Sequence, residues 1–523
     1  MKHPLLRYLL AAAGGVLWGL CFGKDPFSLA AWIALAPLML LLSSPRPGRL
    51  GWVHGYAAWM TGLYWIVPTL QTYGGMVLPL AIALTSLLAA YLALFHSLFA
   101  WLGSRVWRRG GMERLLVLPA LWVALEWLRT YLAGGFPWNL AGYSWIAVPG
   151  ALPLSGWIGA YGLSFLAVLA STAVAASIQR RRWEPAAIGL LVPLLLLPLA
   201  GRWSFRQDAR AWREMTSFGH PVRLLQPNIP NLVVYDEAAV IRNYRKVISQ
   251  SLESCQPGSL LVWPESAAWP FLYRRAPLLD ADLATLTDRG CTVLFSSSSP
   301  VGDAFYNSAF LVSSAGEVAR YDKRHLVPFG EYVPFRGVFG WMDKLARNAG
   351  EYRPADRTVL LPWAGEKIGM SICYEVVFPS EVAALVQRGA TVLVTITNDA
   401  WYGDTSAPWQ HFRAVRFRAA ENRRPLLRAA ITGVSAYVAP DGSVRELIGV
   451  DQQGVIRARV VGEKELTPFS RCPWLVPALS TVLAGAALGI YFARTRSSIM
   501  IAYEVQQKID TLAEQLTNLR GYL

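Results

Sequence analysis

Gly369-Met370-Ser371-Ile372-Cys373-Tyr374-Glu375 is a strand-like run that ends in a thiol, a phenol and a carboxylate. A thiol beside polar groups at a strand end suggests a nucleophile; the other reading is a buried strand cysteine. The run lies in a comparatively polar stretch, about 202–473, which interrupts an otherwise very apolar chain. Apolar segments on both sides of that stretch point to a lipidic substrate.

The 523 residues are 54% hydrophobic and 16% charged, with a mean hydropathy of +0.32. That is too apolar for an ordinary soluble protein of this size. A helix of about 20 apolar residues crosses a hydrocarbon core of about 30 Å. On that measure eight spans are expected, near 5–22, 27–43, 51–71, 76–103, 115–133, 156–178, 184–201 and 474–493. Basic loops stay on the cytoplasmic side. Lys2 and Arg7, Arg46 and Arg49, Arg105 to Arg114, Arg180 to Arg182, and Arg494 with Arg496 mark that side, while the alternate connections are nearly free of Lys and Arg. The expected organisation is a seven-span bundle over 1–201, an extracytoplasmic α/β domain over 202–473, an eighth span over 474–493 and a cytoplasmic tail over 494–523, with both termini inside. The polar tail carries Leu512, Leu516 and Leu519 on one helical stripe and has no functional reading.

The formal charge of +15 is met largely by these loop arginines beside anionic lipid, and no arginine stripe interleaved with aromatics suggests nucleic acid. The five cysteines, Cys21, Cys255, Cys291, Cys373 and Cys472, form no CxxC, and the six histidines are dispersed without HExxH. No metal site is expected.

Within the domain, strands are expected at 222–226, 259–263, 292–296, 309–313, 367–372, 391–397 and 430–439, and helices at 237–253, 275–288, 379–388 and 409–423. Such alternation implies a layered α/β fold. Glu265, Cys373 and Asn398-Asp399 each follow a strand, where ligands of such folds bind. A carboxylate can take the thiol proton, and a lysine can stabilise both thiolate and oxyanion. Glu265, Lys323 and Cys373 can fill those roles. The residues alone leave alternatives: Glu265 as a helix cap, and Lys323 as solvated surface.

The chain resembles the apolipoprotein N-acyltransferase family, membrane-embedded members of the nitrilase superfamily, over nearly its whole length. The similar segments are Gly135-Phe136-Pro137-Trp138-Asn139, Gln226-Pro227-Asn228-Ile229-Pro230, Trp263-Pro264-Glu265-Ser266, Tyr306-Asn307-Ser308, Tyr321 to Tyr332, Ile372-Cys373-Tyr374-Glu375 and Thr397 to Gly403. The resemblance implies a nitrilase-like α-β-β-α sandwich and a Glu265–Lys323–Cys373 triad. It also implies supporting roles for Glu331, Tyr374, Glu375 and Asn398. Where the family usually has Lys-Trp, this chain has Val234-Tyr235, so Tyr235 keeps a ring without the indole. The implied reaction passes a fatty acyl chain from a membrane phospholipid, through a Cys373 thioester, to the α-amine of a diacylglyceryl-cysteine at a lipoprotein N-terminus. No cofactor is implied, a monomer is the expected unit, and the location is the bacterial inner membrane with the domain on the periplasmic side.

Three further expectations follow. Phe335, Phe339, Trp341 and Met342, in the apolar stretch 326–350, are expected to form a lipid-facing lid. Glu126 and Arg129 lie inside a span and are expected to pair near the Phe136-Pro137-Trp138 loop as a structural feature. The rival functions are a membrane-tethered amidase or nitrile hydrolase with the same triad, and a transporter or structural membrane protein.

Overall fold

The computed structural model describes residues 3–24, 30–231, 234–332 and 352–520, with side chains at all of these except 202–213, 215–217, 496–502 and 515–520. The expected lid residues Phe335, Phe339, Trp341 and Met342 lie outside the described residues.

Among the described residues, five helices, not eight, are long and apolar enough to cross a membrane: Leu78–Arg109, Arg114–Gly134, Ala151–Arg180, Glu184–Gly201 and Leu475–Thr495. The three expected crossings before residue 72 fall short for a common reason. Glycine, proline and turns break the apolar sequence into short helices: Pro4–Leu20 with 17 residues, Ala36–Leu41 with 6, Pro47–Gly62 with 16 and Ile66–Thr72 with 7. At 1.5 Å per residue the longest of these spans roughly 25 Å, less than a hydrocarbon core. Hydropathy reads apolarity and does not see where the backbone turns. At the other end, the helix that begins at Leu475 continues to Arg520, so the tail extends the last crossing.

The domain contains two six-stranded sheets. One has the order β12-β1-β2-β3-β4-β5, where β1 is His220–Gln226, β2 Leu260–Val262, β3 Thr292–Val301, β4 Ala304–Ser313, β5 Gly316–Asp322 and β12 Gly454–Val460. The other has the order β11-β10-β9-β8-β7-β6, where β6 is Leu360–Trp363, β7 Glu366–Ile372, β8 Val392–Thr397, β9 Leu426–Ala430, β10 Ser435–Val438 and β11 Val444–Ile448. The expected strand 430–439 contains β10 but only the last residue of β9, which runs antiparallel beside it. The residues between them, with Gly433, make the reversal.

Side-chain alternation assigns the layers. Leu224, Val262 and Leu294 face inward and meet Met370, Ile372, Val394 and Ile396 of the second sheet. Their chain neighbours Leu225, Leu261 and Val293 face outward onto Tyr244, Val247, Leu283 and Leu286 of helices Glu237–Ser254 and Pro277–Asp288. Helices Pro379–Gln387 and Ala407–Asn422 cover the second sheet and bury Val382, Leu385, Phe412 and Phe417 in one cluster with Ala141, Leu163 and Leu166 of the bundle. The layers are therefore helix, sheet, sheet, helix, with the last helical layer seated on the membrane helices. Gly159, at φ +67°, interrupts helix Ala151–Arg180 there, and the freed Ala160 N–H donates to Glu421 Oε1 of the domain at 2.7 Å.

Candidate active site

β7 and β8 run parallel with Ile372 opposite Ile396, so Cys373 and Thr397-Asn398 leave the sheet side by side. β2 is parallel to β1 and β3 and delivers Glu265 from the facing sheet. β5 ends at Asp322, one residue before Lys323, and the Lys323 N–H donates to Asn307 O at 2.8 Å. Four strand ends thus converge; the sequence marks polar residues at the ends of β2, β7 and β8 but does not by itself place them together.

Cys373 is not an ordinary strand residue. It takes φ +53°, a left-handed conformation that a side chain adopts only when its surroundings enforce it, and opens a tight helical turn over Cys373–Val377. Burial, then the Glu265 charge, pushes the thiol well above its ordinary value, with Lys323 pulling the other way. The resting sulfur is therefore protonated and needs a base.

Lys323 is 1% exposed, which removes the solvated-surface reading. Its Nζ donates to Glu331 Oε1 at 2.9 Å and lies 3.7 Å from Glu265 Oε1. Burial works against the ammonium, but Glu331 and Glu265 outweigh it and raise its proton affinity well above that of a free lysine. Glu265 caps no helix. Its Oε1 accepts from Asn307 Nδ2 at 2.9 Å and its Oε2 from the Asn398 N–H at 3.0 Å. Burial pushes Glu265 above the usual carboxylate range; Lys323 opposes this and Glu331 adds to it. Two carboxylates around one lysine leave one negative charge in excess beside a thiol, so a proton can pass between sulfur and carboxylate while the ammonium stays charged.

The supporting residues divide. Glu331 also accepts from Asn307 Nδ2 at 3.0 Å and from the Val327 N–H at 2.8 Å. Glu375 accepts from the Ile372, Arg324 and His325 N–H groups and from the Tyr321 hydroxyl, and so joins the ends of β7 and β5. Tyr374 donates to Gly135 O at 3.2 Å and stacks on Trp138 at 6.4 Å, which ties the turn to the bundle's loop. Asn398 reaches Asn231 Oδ1 at 3.0 Å. Tyr235 stands apart on the surface, 63% exposed, edge-on to Trp269.

Two residues were missed. Asn307 bridges both carboxylates; its segment Tyr306-Asn307-Ser308 stood out in the sequence, but nothing there marked the side chain as a bridge. His411, in a helix 38 residues beyond Cys373, lies against the carbonyl of Cys373. Glu126 and Arg129 adjoin the Phe136-Pro137-Trp138 loop as expected, but they do not form the expected ion pair with each other. Arg129 donates to Phe136 O and Trp138 O, both at 2.8 Å, and Glu126 Oε1 accepts from the Ala141 N–H at 2.7 Å. Each charge serves the loop's backbone.

The chain is similar to known proteins over most of its length. Residues 14–173 match the apolipoprotein N-acyltransferase N-terminal domain, and residues 221–463 match carbon-nitrogen hydrolase. The apolipoprotein N-acyltransferase of Geobacter metallireducens is 37% identical over 486 residues, covering 88% of this chain and 91% of that one. That of Ralstonia nicotianae is 36% identical over 505 residues, covering 91% and 92%. Among solved structures, an amidase from Nesterenkonia sp. is similar at 22% identity with a TM-score of 0.37, covering 49% of this chain and 93% of that one. Fold and matches together define an acyltransferase of the carbon-nitrogen hydrolase type, carried by a membrane protein with multiple spans. The chain belongs to the apolipoprotein N-acyltransferase family, and that is its activity.

Proposed function

We propose that Cys373 carries the acyl chain, Glu265 moves the proton and Lys323 holds the oxyanion. The observation that supports this most is the buried group itself: Cys373 held in a left-handed turn at a strand end, with Lys323 fixed between Glu331 at 2.9 Å and Glu265 at 3.7 Å. Glu265 removes the Cys373 proton, and the thiolate attacks an ester carbonyl of a phospholipid. Lys323 and a backbone N–H stabilise the tetrahedral oxyanion. The C–O bond breaks, the departing lysophospholipid takes the proton from Glu265, and a thioester remains. The neutral α-amine of a diacylglyceryl-cysteine then gives a proton to Glu265 and attacks the thioester. The C–S bond breaks, the sulfur recovers the proton, and an N-acyl lipoprotein leaves. The thioester lies somewhat above the ester, but the amide lies below both, so the overall transfer runs downhill and no ATP or other cofactor enters.

Glu331 orients Lys323 through the 2.9 Å contact, and Glu375 fixes the two strand ends on which Lys323 and Cys373 sit. A single chain holds every one of these groups, in keeping with a monomer. The 202–473 unit is the catalytic domain, and it faces the periplasm across a bacterial inner membrane. Two features support that side. Arg180 to Arg182 and Arg494 with Arg496 lie at the far ends of the crossings that flank the domain. Cys255 and Cys291 form a disulfide, a bond that persists in oxidising compartments. Peptide mapping of unreduced protein from cells should find Cys255 and Cys291 linked; free thiols at both would count against the periplasmic side.

Product analysis tests the reaction. Purified enzyme, given bacterial phospholipid and a diacylated N-terminal peptide, should release lysophospholipid and N-acyl peptide in equal amounts. Free fatty acid as the main product, with the peptide unmodified, would mean that water is the acceptor.

A further inference from the structure

His411 lies on the face of helix Ala407–Asn422 that looks into the domain, and it is buried, as are Asp399 and Arg428 beside it. One ring nitrogen, Nδ1, is 3.2 Å from Asp399 Oδ1 and 3.2 Å from Arg428 Nη2. Arg428 also donates to Asp399 Oδ2 at 2.6 Å, and Thr397 Oγ1 donates to Asp399 Oδ1 at 2.8 Å. Gly433 gives this group its room: a Cβ there would stand 2.5 Å from Asp399 Oδ2. The other nitrogen, Nε2, is 3.1 Å from the carbonyl oxygen of Cys373. A carbonyl oxygen only accepts, so Nε2 must carry a proton whichever neighbour engages Nδ1.

We propose that His411 is a positioning residue that fixes the Cys373–Tyr374 peptide plane and so aims the Tyr374 N–H at the developing oxyanion. In a planar trans peptide the C=O and the following N–H point in opposite directions. Holding the Cys373 oxygen with one donor therefore sets the direction of the Tyr374 N–H. The constraint matters because Cys373 has φ +53°, from which a free chain would relax. Glu375 holds the amide of the preceding residue, Ile372, at 2.7 Å, and His411 holds the carbonyl side. The turn is thus fixed from both ends. Neighbouring Gln410 shows how the helix itself is held. It accepts from Trp65 Nε1 and Trp138 Nε1 and donates to Phe22 O and Gly62 O, so the bundle fixes the helix that carries His411. The Asp399–Arg428 pair orients the ring. A buried ion pair is a weak source of net stability, which favours an orienting role over a merely structural one.

This inference rests on the reading of Cys373 as the acylated nucleophile, and the test separates the two. Thioester formation is followed in a single turnover with bacterial phospholipid in detergent micelles, alongside alkylation of Cys373 by iodoacetamide. Alkylation needs the sulfur but forms no oxyanion. His411→Leu should slow acylation about 10²-fold, the scale of a lost oxyanion donor. KM for lipid should stay within about twofold, and alkylation within about threefold. His411→Gln places an amide N–H near the Nε2 position and should recover most of the acylation rate. His411→Asn, whose amide reaches only the Nδ1 position, should not. Equal loss of acylation and alkylation would overturn the inference, as would Gln no better than Asn; the Gln–Asn comparison decides even where the Leu variant does not fold. Wild-type protein that gains no acyl chain on Cys373 would instead remove the nucleophile reading itself.

Discussion

Two groups of buried charges lie in different parts of this protein, and they are built on opposite plans. In the bundle, Arg129 and Glu126 are each spent on backbone: the guanidinium on Phe136 O and Trp138 O, the carboxylate on the Ala141 N–H. One cation and one anion fix a loop; the Trp122 indole also donates to the carboxylate, whose second oxygen, Oε2, is buried without a hydrogen-bond partner among the described residues. In the domain, Lys323 is shared between Glu331 at 2.9 Å and Glu265 at 3.7 Å, with a protonated thiol nearby. Here the anions outnumber the cation, and a proton has two places to reside. Balanced charges bonded to backbone read as architecture; an unbalanced set around a strained residue reads as chemistry.

The strongest way to break that contrast is to remove groups from the domain set. Cys373→Ala should abolish acyl uptake and turnover, because no other described group beside Glu265 and Lys323 can form the thioester. Glu265→Gln keeps the hydrogen-bonding shape but cannot take a proton, and should lower the single-turnover acylation rate about 10²- to 10⁴-fold. Its melting temperature in detergent should stay near wild type, since an uncompensated buried charge is removed. A parallel loss of melting temperature and rate would mean that the domain group is structural after all.

Arg129→Leu should do the reverse. It deletes two charge-assisted bonds to carbonyls and leaves Glu126 buried, at a cost of roughly 2–5 kcal/mol. Thermal unfolding should move down clearly, while acylation per folded molecule falls far less than in Glu265→Gln. A rate loss as large as that of Glu265→Gln, at unchanged stability, would place Arg129 in the chemistry.

The smallest effect concerns pH. Glu265 must be ionised to act, and its proton affinity is raised by burial and by Glu331. Acylation should therefore fail as pH drops through a value above the ordinary carboxylate range. Glu331→Gln removes one of the raising charges, so the acid limb of the rate profile should move to lower pH, with some loss of plateau rate as Lys323 loses its 2.9 Å partner. A limb that stays in place would mean that the two carboxylates do not share the lysine's field.

These plans were unequally legible in the sequence. Glu265, Cys373 and Asn398 announced themselves because each follows an aliphatic run that can only be a buried strand, and polar residues there are conspicuous. Lys323 was harder: its chemistry made it a candidate, but in Tyr321-Asp322-Lys323-Arg324 it looks like surface, and the resemblance was needed to decide between the two readings. Asn307 and His411 owe their importance to contacts across 42 and 38 residues, which no local pattern carries. Strands β6, β9, β11 and β12 were not anticipated; β6 and β11 form the edges of the second sheet, where shorter and more polar runs blunt the signal. Eight spans were expected and five helices of spanning length are found among the described residues, because apolar composition counts residues and does not see where the backbone turns, and the chain is broken into short helices before residue 78.

Mass spectrometry of the intact protein after incubation with phospholipid alone addresses the central claim most directly. The account predicts a gain of one fatty acyl group, mapped to Cys373, that disappears when a diacylated N-terminal peptide is added and reappears as an amide on that peptide. An unchanged mass under conditions of full turnover, or an acyl group on another residue, would contradict it.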